Sequence, residues 1–337
     1  MATLVLNNDS ISVNLESDHL IIRQHNIDGD FQTLPVKDLE RVIVIGKPAI
    51  TFPILARLMD RHIPCSFLSK GERLRGSLDT GCYRNVARRM VQYDKLREDG
   101  ECRVLACGVI EAKLRNARRV IQRVCANRGV VFPHDDEHWQ GLNASIDDLC
   151  HADDVEVVRG IEGVGSFHYF RFLSLFFPAT MPFTVRSRQP PLDEANAVLS
   201  FCYTVLMNEV LSAVRLHSLD PGLGFLHKDR LIGPSLALDL MEPFRPSFAD
   251  LLTINLLSHG RLNAERDFEH DQDSGGVYLA KEARGRVLSA CETALSRRFV
   301  PLGKSEHTTL RLAIDEQVVC LVRHLEQGSP MEWFRLA

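Results

Sequence analysis

The hydrophobic pattern changes its period near residue 80, and that change decides what the chain can fold into. Before it, short runs rich in Val, Ile, Leu and Thr at residues 3–6, 12–15, 19–23 and 31–36 are broken by Asn7-Asn8-Asp9, Asp18 and Asp28-Gly29-Asp30. These read as β-strands with turns between them. Residues 41–45 form a more apolar strand, residues 50–62 take on helical spacing, and residues 64–68 return to strand. Around Gly71 to Tyr83 the composition turns to Gly, Ser and Thr, and beyond it the signal is almost wholly helical. The expected fold class is therefore α+β: a β-rich N-terminal domain over residues 1–82, then a larger all-α domain over residues 83–337 that carries the chemistry.

The helical half contains one stretch where charge meets apolar surroundings, GLGFLHKDRLIGPSLALDLMEPFRP from Gly222 to Pro246. His227 closes a short apolar run, a Gly233-Pro234 turn follows, and Ser235 is placed to cap a helix bearing Asp239 and Glu242. Residues three apart share a helix face, so the two carboxylates are expected in one small volume. Such charges repel unless a cation lies between them, and a divalent ion would convert the repulsion into attraction. Upstream, Glu162 lies in IEGVGSFHYF beside Gly163 and Gly165, a face that lets a helix or a phosphate backbone approach closely. His134 and His138 in FPHDDEHW have ligand-like spacing, but Pro133 and the acids between them favour a connection or helix start over a metal site.

Charge is distributed unevenly. The net charge is −4, yet the segment from Arg84 to Arg128 holds twelve Lys or Arg against five Asp or Glu. Arg115, Arg119 and Arg123 recur every four residues on one side of a helix, and Arg186 and Arg188 lie in the stiff loop RSRQPP. With Arg245, these are the expected phosphate-backbone contacts. Nine cysteines without a C-x-x-C pair suit reduced thiols, and no stretch was expected to cross a membrane, so a cytoplasmic location is expected. There is no G-x-x-x-x-G-K-[ST] loop to bind ATP.

Several strings together resemble the CRISPR-associated protein one family, the metal-dependent DNA endonuclease and integrase of CRISPR adaptation. They are NAVLSFCYTVLMNEVLSAV, GLGFLHKDR, SLALDLMEPFRP, IEG with HYF, KLRNARRV, RSRQPP and DF followed by GGVYL, in that family's order. The resemblance implies metal ligands at Glu162, His227 and Asp239, a further catalytic acid at Glu242, and Mg²⁺ or Mn²⁺ as the ion. It also implies a homodimer working with CRISPR-associated protein two, and spacer insertion by 3′-hydroxyl attack on repeat phosphodiesters. Pro243, directly after Glu242, is expected to disturb the helix there. Two other functions fit the residues: a stand-alone metal nuclease acting on branched or broken DNA, and a non-catalytic scaffold for DNA ends.

Overall fold

The computed structural model describes residues 2–24, 31–69, 74–78, 85–228 and 233–337. The chain divides into two compact units, Met1–Arg84 and Asn85–Ala337. Most of the expected transition at residues 71–83, and Cys82 with it, lies outside the described residues.

Among the described residues, the first unit has eight strands and one α-helix. β1 (Ala2–Leu6), β2 (Ile11–Glu16), β3 (His19–Gln24), β4 (Phe31–Pro35), β5 (Leu39–Ile45), β6 (Ala49–Ile50), α1 (Phe52–Asp60), β7 (Cys65–Leu68) and β8 (Leu74–Ser77) follow in order. They form two four-stranded sheets, ordered β1-β5-β7-β8 and β4-β3-β2-β6. β1, β5 and β7 are mutually parallel, which requires crossover connections, and α1 supplies the one between β5 and β7. Val13, Leu20, Val36, Val42, Val44, Ile54 and Leu58 close over one apolar core.

The second unit is helical with short hairpins. Its helices are α2 (Val86–Lys95), α3 (Asp99–Asn127), α4 (Glu137–Asp148), α5 (Val155–Leu173), α6 (Glu194–Leu216), α7 (Ser235–Met241), α8 (Leu251–Ser258), α9 (Lys281–Ser296) and α10 (Leu310–Gln327). Side-chain caps start several of them: Asp136 accepts from the His138 and Trp139 N–H groups, Asp154 from Val157, and Asp193 from Asn196. The FPHDDEHW segment is thus a helix start. His138 meets His168 there, Nδ1 to Nδ1 at 3.2 Å.

Two expectations are corrected by the structure. α6 is long and apolar enough to cross a membrane, although no stretch was expected to be, and 72% of its apolar window is buried inside the unit as core. Ser235 does not cap α7: it is the first helical residue, and its buried Oγ has no hydrogen-bond partner among the described residues. The chain beyond α7 stays helical but does not keep the regular α-helical ladder. After α7 come a 3₁₀ turn, Glu242–Phe244, and a wide turn, Pro246–Asp250, before α8 begins. Pro243 and Pro246 lack the N–H groups that a continuous helix would use there, so the ladder is broken twice within five residues.

Candidate active site

Asp239 is fully buried and is held by backbone. Its Oδ2 accepts from the N–H groups of Phe225 and Leu226 at 2.7 and 2.9 Å, and its Oδ1 accepts from the His227 N–H at 3.2 Å. The same Oδ1 meets His227 Nδ1 at 2.5 Å. This nest exists because Gly224 has no side chain: a Cβ there would collide with Asp239 Oδ2. Burial pushes the Asp239 carboxyl above the ordinary range, against the pull of His227 and the two N–H groups. With the carboxylate as acceptor, Nδ1 of His227 carries the proton and Nε2 keeps its lone pair. Among the described residues, Nε2 makes no hydrogen bond.

Glu242, the first residue of the 3₁₀ turn, has a different set of partners. Its carboxylate lies 2.8 Å from Lys113 Nζ and 3.1 Å from Arg245 Nε. Lys113, on α3, also pairs with Glu162 of α5, whose Oε1 accepts from Ser166 Oγ at 2.7 Å. Burial opposes ionisation of both glutamates. The Lys113 ammonium and the Ser166 bond outweigh it at Glu162, whose pKa falls to about 2, while Arg245 and Lys113 hold Glu242 below its usual value. Burial likewise opposes charge on Lys113, but the two carboxylates keep its pKa raised.

Glu162, His227 and Glu242 line one polar cavity of about 620 Å³, together with Glu156 and Arg159. A second cavity of about 710 Å³ adjoins the same three residues and extends past Phe167, Tyr203, Arg186, Arg188 and Arg245. Asp239 lines neither: it lies behind the imidazole. Asp239, expected as a direct ligand, is thus set back from both cavities. Both its oxygens are occupied, and Glu242 stands at the cavity instead. Among the described residues, no three His, Cys, Asp or Glu side chains are gathered closely enough to hold a metal ion as they stand. The donor set nonetheless fits Mg²⁺ or Mn²⁺: two carboxylates already arranged around a positive charge, plus an imidazole nitrogen with a free lone pair.

The arginines divide into engaged and open groups. Arg115 pairs with Glu111 one turn earlier at 2.7 Å, and Arg119 and Arg123 both donate to Ala337 O at 2.8 Å. The expected unneutralised row is thus taken up within the chain, because its acceptors come from the preceding turn and from the far end of the sequence. Arg186 is committed to Asn196 and Ser200 of α6, and Arg245 to Glu242. Both guanidinium groups also lie over the Tyr203 ring. Arg188 is exposed, lines the larger cavity and makes no ion pair among the described residues. Sequence reasoning missed Lys113, which looked like one more charge in a basic segment. It also missed Asp250, buried between Tyr169 and Tyr203, whose hydroxyls donate to it at 3.0 and 2.5 Å.

The family model for CRISPR associated protein Cas1 matches residues 4–293. This chain belongs to the Cas1 family. A Cas1 endonuclease from Moorella thermoacetica is 30% identical over 297 residues, covering 83% of this chain and 84% of that protein. A second Cas1 relative, from Rhodospirillum rubrum, is 33% identical over 303 residues, covering 87% and 86%. Among solved structures, a casposase bound to integration product has TM-score 0.86 at 22% identity, covering 98% of this chain and 92% of that one. A Cas1 protein from Thermotoga maritima has TM-score 0.82 at 22% identity, covering 97% of both chains. The β-rich first part and helical second part are thus those of the Cas1 fold.

Proposed function

We propose that this chain is the metal-dependent endonuclease and integrase of CRISPR adaptation, with Glu162, His227 and Glu242 holding Mg²⁺ or Mn²⁺ and Asp239 orienting the imidazole. The observation that carries this reading is the convergence of those three side chains on one polar cavity. When bound, such an ion lowers the pKa of a water or 3′-hydroxyl and stabilises charge on the phosphodiester oxygens. The chain's own groups do the rest. Asp239 keeps the Nδ1 proton in place so that Nε2 remains a donor atom. Ser166 holds Glu162, and Lys113 balances the two carboxylates that would hold the cation.

Arg188 and the Tyr203 and Phe167 side of the larger cavity suit a nucleic-acid strand, through phosphate contact and base stacking. Solved neighbours include a Cas1–DNA complex and Cas1–Cas2 complexes, which favour DNA and Cas2 as this chain's partners. The β-rich unit is the proposed surface for homodimer formation and for Cas2. The test supplies DNA fragments with free 3′-hydroxyls and a repeat-bearing plasmid in Mn²⁺. Joined product is expected. Cleavage without joining would favour the stand-alone nuclease, and Glu242→Ala with undiminished joining would remove the proposed site.

A further inference from the structure

Two buried amide side chains bracket Glu242 from outside the cavity. The broken helix leaves the carbonyls of Leu240 and Pro243, on either side of Glu242, in need of donors. Gln317 of α10 donates from Nε2 to Leu240 O at 2.9 Å, and its Oε1 accepts from the Phe334 N–H at 3.0 Å. Asn116 of α3 donates from Nδ2 to Pro243 O at 2.7 Å and to Phe334 O at 3.0 Å. Its Oδ1 accepts from the Leu336 N–H at 2.8 Å. Each amide therefore ties one flank of Glu242 to the same stretch of residues 334–336.

That stretch reaches its place because Gly328 ends α10 with φ 68°, which reverses the chain. Phe334 then stacks on Phe244 with centroids 4.5 Å apart, and Trp333 fills the space above Gly108, where a Cβ would strike the indole. Asn116 and Gln317 are 1% and 3% exposed, too buried for their bonds to be exchanged for water without cost.

We infer that Asn116 and Gln317 are positioning residues that use segment 329–337 as a brace to fix the Glu242 turn at the cation site. The inference rests on the metal reading proposed above. A merely structural brace would lower stability and leave both the turn and cation affinity unchanged in any variant that still folds.

The experiment uses the full chain, the deletion of residues 329–337, Gln317→Met, Asn116→Leu and Glu242→Ala. Each is titrated with Mn²⁺ alone, followed by electron paramagnetic resonance at a temperature where circular dichroism shows the protein folded. Amide hydrogen exchange over residues 241–245 is measured in parallel. The deletion, Gln317→Met and Asn116→Leu should each bind Mn²⁺ about tenfold more weakly or worse, with faster exchange in that turn. A synthetic peptide of residues 329–337 should restore both readouts to the deleted chain, and the same peptide carrying Phe334→Ala should not. Wild-type Mn²⁺ affinity or unchanged exchange in the folded deletion overturns the inference. Should Asn116→Leu fail to fold, the deletion and its peptide rescue decide. If Glu242→Ala binds Mn²⁺ as tightly as wild type, the metal reading has failed, and the exchange data still show whether the brace holds the turn.

Discussion

Asp239→Asn separates the orienting role from a ligand role, because the two carboxylate oxygens of Asp239 receive four hydrogen bonds. A carboxamide keeps only one oxygen. The best orientation leaves that oxygen on the Phe225 and Leu226 N–H groups and turns the NH₂ toward His227. The His227 N–H then faces a donor, and the two bonds that remain lose the charge of their acceptor. A bond to a charged group is worth about 1.5–3 kcal/mol and a neutral one about 1, while the carboxamide escapes the desolvation that raises the Asp239 carboxyl, so the folded state should lose about 1–2 kcal/mol. A subtler change follows at the imidazole. Nδ1 must now accept from the NH₂, which moves the ring proton to Nε2 and removes its lone pair from the cavity. Mn²⁺ affinity should fall about 10- to 100-fold, as expected when the group orienting a ligand is lost. Urea unfolding and Mn²⁺ titration on the intact chain give both numbers. An unfolding free energy within about 0.5 kcal/mol of wild type, with unchanged Mn²⁺ affinity, would refute the reasoning.

Other substitutions probe the neighbouring groups. Lys113→Met leaves Glu162 and Glu242 without their shared ammonium, so the metal-free chain should lose about 3–5 kcal/mol, and Mn²⁺ should raise its thermal midpoint more than it raises that of wild type. Burial lifts the Asp250 carboxyl from 3.8 to about 6, against the hydrogen bonds of the two tyrosines. Folding therefore favours its protonated form. That contribution is complete below the unfolded value and is lost as pH rises through about 6, so wild type should lose up to about 3 kcal/mol relative to Asp250→Asn between about pH 4 and pH 7. Arg188→Ala should reduce the salt slope of DNA binding by about 1, whereas Arg119→Ala, whose guanidinium already serves Ala337, should leave it unchanged in a filter-binding series. Burial pushes the Cys65 thiol up to about 12, while Cys150 is exposed, so Cys150→Ser should remove one fast-reacting equivalent in thiol labelling and Cys65→Ser none.

What could be read from the residues followed the length scale of the physics involved. Strands β2, β3 and β5 and the helical character of the second unit announced themselves, because strand patterning and helical spacing are written within a few residues. β8 was missed because its residues, Leu74–Ser77, sit among Gly and Ser that resemble a connector. Glu162, His227 and Glu242 stood out as charges among apolar neighbours. The placement of Asp239 behind His227 could not be read, since it depends on Gly224 opening a nest fifteen residues earlier in the chain. Lys113 gave no signal because its partners lie 49 and 129 residues away. Asn116 had a faint one: a polar residue interrupting the apolar stripe formed by Leu114, Ala117 and Ile121.

Helix α3 runs unbroken for 29 residues, and four separate fittings hang from it: Trp333 over Gly108, the carboxylates at Lys113, the brace at Asn116 and Ala337 at Arg123. Their alignment depends on how many residues separate them as much as on what those residues are. Adding or removing a single residue between positions 108 and 123 would turn everything beyond it by about 100°. Exposed positions along this rod can therefore drift freely in identity, but its length is locked.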